Sequence, residues 1–178
     1  MQQSAIRARG RGIGVRGGYM LKKDLIAGLT VNKGILRQLI STMEPEAIKR
    51  RIKDYWTIYE HLDHLVVTQK MLLGRIKQFL AEDRPTMKPY IPEDKPEVEN
   101  ASKSAAQLVG EFERLRDEQL VLIKKAKRDV WQREGIHPEY KKYGFEILVR
   151  HILLHDSFHM WRMEELWIEK EELIKELH

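Results

Sequence analysis

The sequence predicts an all-α protein built as a four-helix bundle. Apolar residues recur at three- and four-residue spacing in four segments of 20 residues or more, which is the period of one helix face. No segment shows the alternation of apolar and polar residues that is typical of a strand. One connection between these segments is rich in proline, and another contains a Gly and a Pro. Long helices joined in this way are typical of a bundle.

Composition limits the class of protein. The 178 residues suffice for one domain of ordinary size. With 42% hydrophobic and 33% charged residues, the chain matches a globular protein rather than a disordered one. No apolar run reaches the length of a membrane span, and the N-terminus has no apolar signal core. We therefore expect no membrane association and a cytoplasmic location. The absence of cysteine excludes disulfides, thiolate metal ligands and a cysteine nucleophile.

The positive charge is concentrated at the N-terminus. Residues 1–20 hold four of the 32 Lys and Arg residues and no acidic residue. The rest of the chain therefore holds 28 basic and 27 acidic residues and is nearly neutral. Nucleic-acid binding by the main body, residues 21–178, is therefore not indicated. We predict that residues 1–20 are a disordered Arg/Gly-rich leader or tail. This segment is either a weak RNA-binding tail or a leader that precedes the true start at Met20.

The first two helices are predicted from their apolar stripes and from residues that begin or end a helix. The first helix runs from Leu21 to about Ser41, where Pro45 soon disfavours helical geometry. The second helix begins near Thr57, a residue that can cap it. Their stripes consist of Leu25, Leu29, Leu36, Leu39 and Ile40 in the first helix, and Ile58, Leu62, Leu65, Leu72, Ile76 and Phe79 in the second.

The second half of the chain supplies the other two helices. Residues 83–100 hold four of the six prolines and are predicted to form a long loop, either functional or a plain crossover. The third helix is predicted from about Ala101 to Asp129 and the last from about Phe145 to Leu173, separated by a break at residues 135–138.

Five of the seven histidines fall into two clusters, each on a predicted helix. His61 and His64 lie on the second helix, and His151, His155 and His159 lie on the last. On a helix, residues four apart point the same way, so His155 pairs with either His159 or His151 around one ion, but all three are too far apart to share it. A third imidazole from a facing helix would complete a three-histidine metal site with open positions, which is typical of catalysis. The alternative is that the pairs are surface residues or satisfied core histidines.

The third ligand is ambiguous from periodicity alone. His61 lies about 50° from the centre of its apolar stripe and His64 about 110° away, so the wheel favours His61. A helix with two neighbours buries a wider arc, however, and Val67 and Met71 lie close to the direction of His64. The choice stays open at this point.

Several motifs resemble the DinB/YfiT-like superfamily of metal-dependent four-helix proteins. The segment WTIYEHLDHL resembles the start of the family's second helix, in which a metal-binding His follows a Trp by eight positions. The segment HILLHDSFHMWRMEEL resembles the last-helix motif with two ligand histidines. The stretches PTMKPY and IHPEY are similar to the loops of the YfiT branch. The resemblance spans about residues 22–170.

This resemblance implies a ligand set, a topology and an activity. Counted from Trp56, the ligands are His64, His155 and His159. The topology is up-down-down-up, frequently in a homodimer, with zinc, nickel or a similar divalent ion. The implied activity on a small-molecule substrate is thiol-dependent S-transfer, with a low-molecular-weight thiol as cosubstrate, or hydrolysis. His61, His137 and His151 then lie behind the ligands, in loops or on the surface.

Three acidic residues near the histidines are candidates for orienting a ligand or moving a proton: Glu60, Asp156 and Glu164. Each is also explained as a solvated or salt-bridged helix residue. The rival function is a non-catalytic bundle that acts by oligomerisation or partner binding, with a structural metal. It is suggested by the amphipathic end of the last helix, where Trp167, Ile168, Leu173 and Ile174 are available for a partner.

Overall fold

The computed structural model describes residues 21–89 and 98–169. Three predictions fall wholly or partly on the remaining residues. The predicted disordered segment 1–20 lies outside the described residues, as do part of the proline-rich loop (90–97) and residues 170–173 of the predicted last helix. That the domain extends to residue 178 therefore stays a prediction. Within the described residues the last helix ends at Trp167, earlier than the predicted end near Leu173.

Six helices make up the described part of the chain, and the four long ones form the predicted four-helix bundle. Between α3 and α4, and between α4 and α6, the described connections contain two isolated β-bridges, but the described residues form no strand. None of the described helices is both long and apolar enough to cross a membrane. The helices are α1 (Lys22–Thr42), α2 (Pro45–Lys49), α3 (Ile58–Ala81), α4 (Ala105–Lys125), α5 (Arg128–Trp131) and α6 (Phe145–Trp167).

Capping residues set where α3 and α4 begin. Thr57 accepts a hydrogen bond from the backbone N–H of Glu60, and the Glu60 carboxylate accepts one from the backbone N–H of Thr57, which confirms the predicted cap. Ser104 and Gln107 form the same reciprocal arrangement at α4. The third helix was expected from about Ala101, but it begins at Ala105 because Ser104 provides the cap.

Side-chain pairs between the helices establish the up-down-down-up order. Residue numbers rise together between α3 and α4, so these helices are parallel, whereas they run in opposite senses between α1 and α4. The pairs are Lys70–Glu111 and Lys77–Glu118 in the first case, and Lys33–Asp117 and Arg37–Glu113 in the second. Gly28 adjoins Leu153, and Asn32 donates to Ser157, so α1 and α6 are parallel.

The bundle core consists of two apolar clusters with polar side chains between them. One cluster includes Leu65, Leu115 and Met160, and the other includes Leu72 and Ile152. Along α3, α4 and α6, the residues between these clusters are the buried polar side chains Gln69, Arg116, Gln119 and Asp156. The predicted histidine ligands lie at the level of this polar layer.

Candidate metal centre

The structure brings the three predicted ligands together. His64 projects from α3, and His155 and His159 project from successive turns of α6. Their ligand atoms all lie within 4.8 Å of one another. The Nε2 atom of His155 is 3.2 Å from Nε2 of His64 and 3.2 Å from Nε2 of His159. The Nε2 atoms of the three rings therefore point toward one position.

Helix geometry accounts for this convergence. Residues four apart on α6 lie one above the other, so His155 and His159 present their rings to the same neighbour. That neighbour is α3, which runs antiparallel to α6, with His61 beside His159 and His64 beside His155. His159 is buried, whereas His64 and His155 are half-buried. The group thus sits at the edge of the core rather than in its centre.

The spacing of the nitrogen atoms fits a tetrahedral divalent ion. With zinc–nitrogen bonds of about 2.0–2.1 Å, two ligand nitrogens of a tetrahedral site are separated by about 3.3 Å. Two of the three separations in this group, those from His155 to His64 and to His159, are both 3.2 Å. Imidazole nitrogen is a ligand that zinc, nickel, copper and iron all accept. The residues present therefore fit a transition-metal ion.

Burial keeps these imidazoles neutral, and neutral imidazole is the form that binds a metal. Burial lowers the pKa of His155 to about 3, aided by His64, Arg116 and His151. It lowers the pKa of His64 to about 4, although Asp63 opposes the shift. The pKa of His159 is also lowered well below its ordinary value, again mainly by burial. Three neutral rings cannot all satisfy one another through Nε2, because each contact needs one N–H and one lone pair.

The second nitrogen of each ring distinguishes His155 from His159. Nδ1 of His155 is buried and has no hydrogen-bond partner in the described part of the chain. Nδ1 of His159 lies 2.9 Å from Nδ1 of His61. His61 is itself buried, and it is not a member of the converging group.

Trp56 forms an aromatic wall over the group. Its ring centroid lies 5.2 Å from that of His61, 5.2 Å from that of His64 and 6.2 Å from that of His159, on which it stacks. On the exposed side, the ring of Phe158 meets that of His159 edge-on. The site is therefore lined by rings, which limit the access of water.

The predicted carboxylate candidates have other partners or lie elsewhere. Glu60 caps α3 and pairs with Arg51. Asp156 is fully buried and pairs with Arg116. Glu164 is exposed and, on the α6 wheel, lies about 140° from His159. The structure thus gives Glu60 and Asp156 structural contacts, and a part for any of the three in proton transfer stays a prediction.

His137 and His151 belong to a separate aromatic cluster. His137 packs against Tyr140 and Tyr143, and both tyrosines contact His151. His151 lies one turn before His155 on α6 but does not join the converging group.

Sequence analysis missed the polar layer beneath the site. Arg116 donates to Asp156 and to Gln119, while Gln69 donates to the other oxygen of Asp156. These bonds connect α3, α4 and α6. The signal in the sequence was a polar residue on an apolar helix face, such as Arg116 four residues from both Phe112 and Leu120, and this does not indicate which residues pair.

The lowered pKa values predict how the stability of the metal-free protein depends on pH. His155 and His64 have pKa values of about 3 and 4 in the fold, against an ordinary pKa of 6.5 in the unfolded chain. Between these values, each of them takes up a proton only when the protein unfolds. The contribution of these groups to the free energy of unfolding is therefore greatest above pH 6.5. It decreases as the pH falls from 6.5 toward 4, by up to about 1.4 kcal/mol per pH unit for each such group.

Urea unfolding of chelator-treated protein at pH 7.5 and pH 5 measures this dependence. A His155→Leu variant should show a shallower dependence, because one of the contributing groups is gone. Equal stability of the parent protein at the two pH values would show that the histidines are not held neutral.

Comparison with known proteins identifies the family of this chain. A family model described as the DinB superfamily matches residues 29–163, which is most of the chain. The chain belongs to the DinB superfamily. Among solved structures, this DinB-superfamily chain resembles YfiT from Bacillus subtilis, described as a probable metal-dependent hydrolase with an unusual four-helix bundle topology. The two share 18% sequence identity with a TM-score of 0.73, over 85% of this chain and 89% of YfiT. No curated protein sequence matches this chain.

Proposed function

We propose that this protein is a metal-dependent hydrolase that acts on a small molecule, with His64, His155 and His159 as the metal ligands. The observation that carries the proposal is that Nε2 of His155 lies 3.2 Å from Nε2 of both His64 and His159, within a group whose ligand atoms all lie within 4.8 Å of one another. YfiT, which has the same fold, is described as a probable metal-dependent hydrolase, and this favours the same class of activity here.

A divalent ion at this position would supply Lewis-acid activation of a water molecule or a thiol near neutral pH. Three neutral imidazoles contribute no charge, so they leave the charge of such an ion available to substrate. The group contains three side chains of the described residues rather than four, which is typical of an open, catalytic site. Trp56 covers the ligand rings on one side and restricts the directions from which substrate approaches.

Thiol-dependent S-transfer is the second candidate activity within the enzyme class. The chain has no cysteine, so any thiol must arrive with a cosubstrate. A borderline-soft ion such as zinc, held by imidazoles, accepts a thiolate as well as an oxygen ligand. We propose zinc or nickel as the metal and the cytoplasm as the location.

Elemental analysis combined with activity assays tests the proposal. Protein purified without chelator should hold about one equivalent of zinc or nickel per chain, as one mononuclear site requires. The loaded protein should hydrolyse at least one member of a panel of ester, amide and lactone substrates in the absence of thiol. Turnover only when a low-molecular-weight thiol is added would favour S-transfer. If no divalent metal is present and none is taken up from zinc or nickel solutions, the proposal is wrong.

One observation favours the alternative, in which the bundle acts by association with a second copy or another partner. Leu154, Phe158 and Trp161 are between 36% and 55% exposed, and they share an arc of about 60° on α6. Exposed apolar groups on one face are typical of an interaction surface. X-ray absorption of the loaded protein separates the two functions, because a fourth protein ligand indicates a structural metal and a water ligand indicates an open site.

A further inference from the structure

His61 lies against the ligand group without belonging to it. Its side chain is 7% exposed, and its Nδ1 atom is 2.9 Å from Nδ1 of His159. His159 directs its other nitrogen, Nε2, toward His155 and the centre of the group. His61 thus contacts the face of His159 that points away from the proposed metal.

The hydrogen bond between the two rings determines a tautomer. A neutral imidazole carries one proton, so a His159 ring that offers the Nε2 lone pair to a metal carries its proton on Nδ1. That N–H then donates to Nδ1 of His61, which must present a lone pair and carry its own proton on Nε2. The opposite arrangement, with His61 donating, would place the proton of His159 on Nε2 and prevent metal binding.

Packing holds both rings in this arrangement. Trp56 lies 5.2 Å from His61 and stacks on His159 at an interplanar angle of 18°. His155 has no comparable support, because its Nδ1 atom lacks a hydrogen-bond partner in the part of the chain that the structure describes.

On the premise of the proposed metal site, we infer that His61 is a positioning residue that fixes the tautomer and orientation of His159 for metal binding. Partners of this kind usually contribute a factor of about 10 to 100 in metal affinity. In most metal sites the group that accepts this hydrogen bond from the ligand histidine is a carboxylate or a backbone carbonyl, whereas here it is a second imidazole.

Competition titration of the full chain with cobalt(II) and a chromophoric chelator measures the effect. We expect His61→Phe to bind cobalt about 10- to 100-fold more weakly than the parent protein. His61→Asn should bind more tightly than His61→Phe, because its amide oxygen can accept the bond from His159. His151→Phe, which changes a histidine outside the group on the same helix as His155, should match the parent protein.

A second measurement does not depend on whether the variants fold. Nitrogen-15 NMR of the zinc-loaded parent protein should show the His159 proton on Nδ1, and a scalar coupling across the bond to Nδ1 of His61. Equal cobalt affinity of the parent protein and His61→Phe, or the absence of a coupling between the two Nδ1 atoms in the zinc-loaded protein, would overturn the inference while leaving the metal site intact. Failure of the parent protein to bind cobalt or zinc would instead contradict the proposed function.

Discussion

We expect a His155→Ala variant to lose the proposed divalent metal ion while keeping its helical fold. Nε2 of His155 is the atom that lies 3.2 Å from both other ligand nitrogens, so its removal leaves two imidazoles on different helices. The loss in affinity should exceed the roughly 10- to 100-fold that residues behind the ligands contribute. Hydrolytic activity should disappear with the metal, because no other group in the proposal activates water.

Metal content after dialysis, with circular dichroism as a check on folding, measures this effect. The matched control is His151→Ala, which removes a half-buried histidine one turn earlier on α6 and should keep the metal. If His155→Ala retained metal at the level of the parent protein, with its fold intact, the ion would have to bind elsewhere and the proposed site would be wrong.

The contrast between His61 and His64 shows what periodicity predicts and what it does not. The wheel places His61 nearer the apolar stripe than His64, and His61 is indeed the more buried of the two. Periodicity therefore predicts burial. A ligand in an open site has to lie at the edge of the buried face, where substrate can approach it, and this favours His64. The resemblance to a family pointed to the residue that the wheel did not favour.

Local signals predicted where three of the four long helices begin, but the third helix starts and ends inside its predicted bounds and the last ends before its predicted end. Thr57 caps α3 as expected, and α6 begins at Phe145, where the last helix was placed. The short helix α2 begins at Pro45, a residue interpreted only as the end of the first helix, although proline is also common at the first position of a helix. A single proline does not distinguish the end of one helix from the start of the next.

The sequence did not predict which side chains pair between helices. Arg116, Gln69 and Asp156 lie on three different helices and meet only after the bundle assembles. Each looks like a polar interruption in a helical pattern. Their partners depend on the relative rotation and height of the helices, which no local spacing specifies.

Because Arg116 is part of this buried polar arrangement, we expect the Arg116→Met substitution to destabilise the protein strongly. Arg116 and Asp156 are both 0% exposed, and the ion pair between them is 2.6 Å long. Removing the guanidinium leaves the buried Asp156 side chain with the amides of Gln69 and Asn32 but without a cation. Breaking a buried pair by removing one partner usually costs about 3–5 kcal/mol. Urea unfolding of the two proteins at the same pH measures the difference.

Two further variants separate the cost of an unpaired charge from the loss of an ion pair as such. Lys33→Met breaks the Lys33–Asp117 pair next to Arg116 on α4, where Asp117 is 59% exposed, and should cost no more than about 1 kcal/mol. The double variant Arg116→Met/Asp156→Leu should recover much of the stability, because it leaves no buried charge. A loss below about 1 kcal/mol for Arg116→Met would mean that Asp156 is neutral or solvated in the fold. Because Asp156 directly follows His155, a firmly paired Asp156 also restricts the rotation of α6, on which the convergence of the histidines depends.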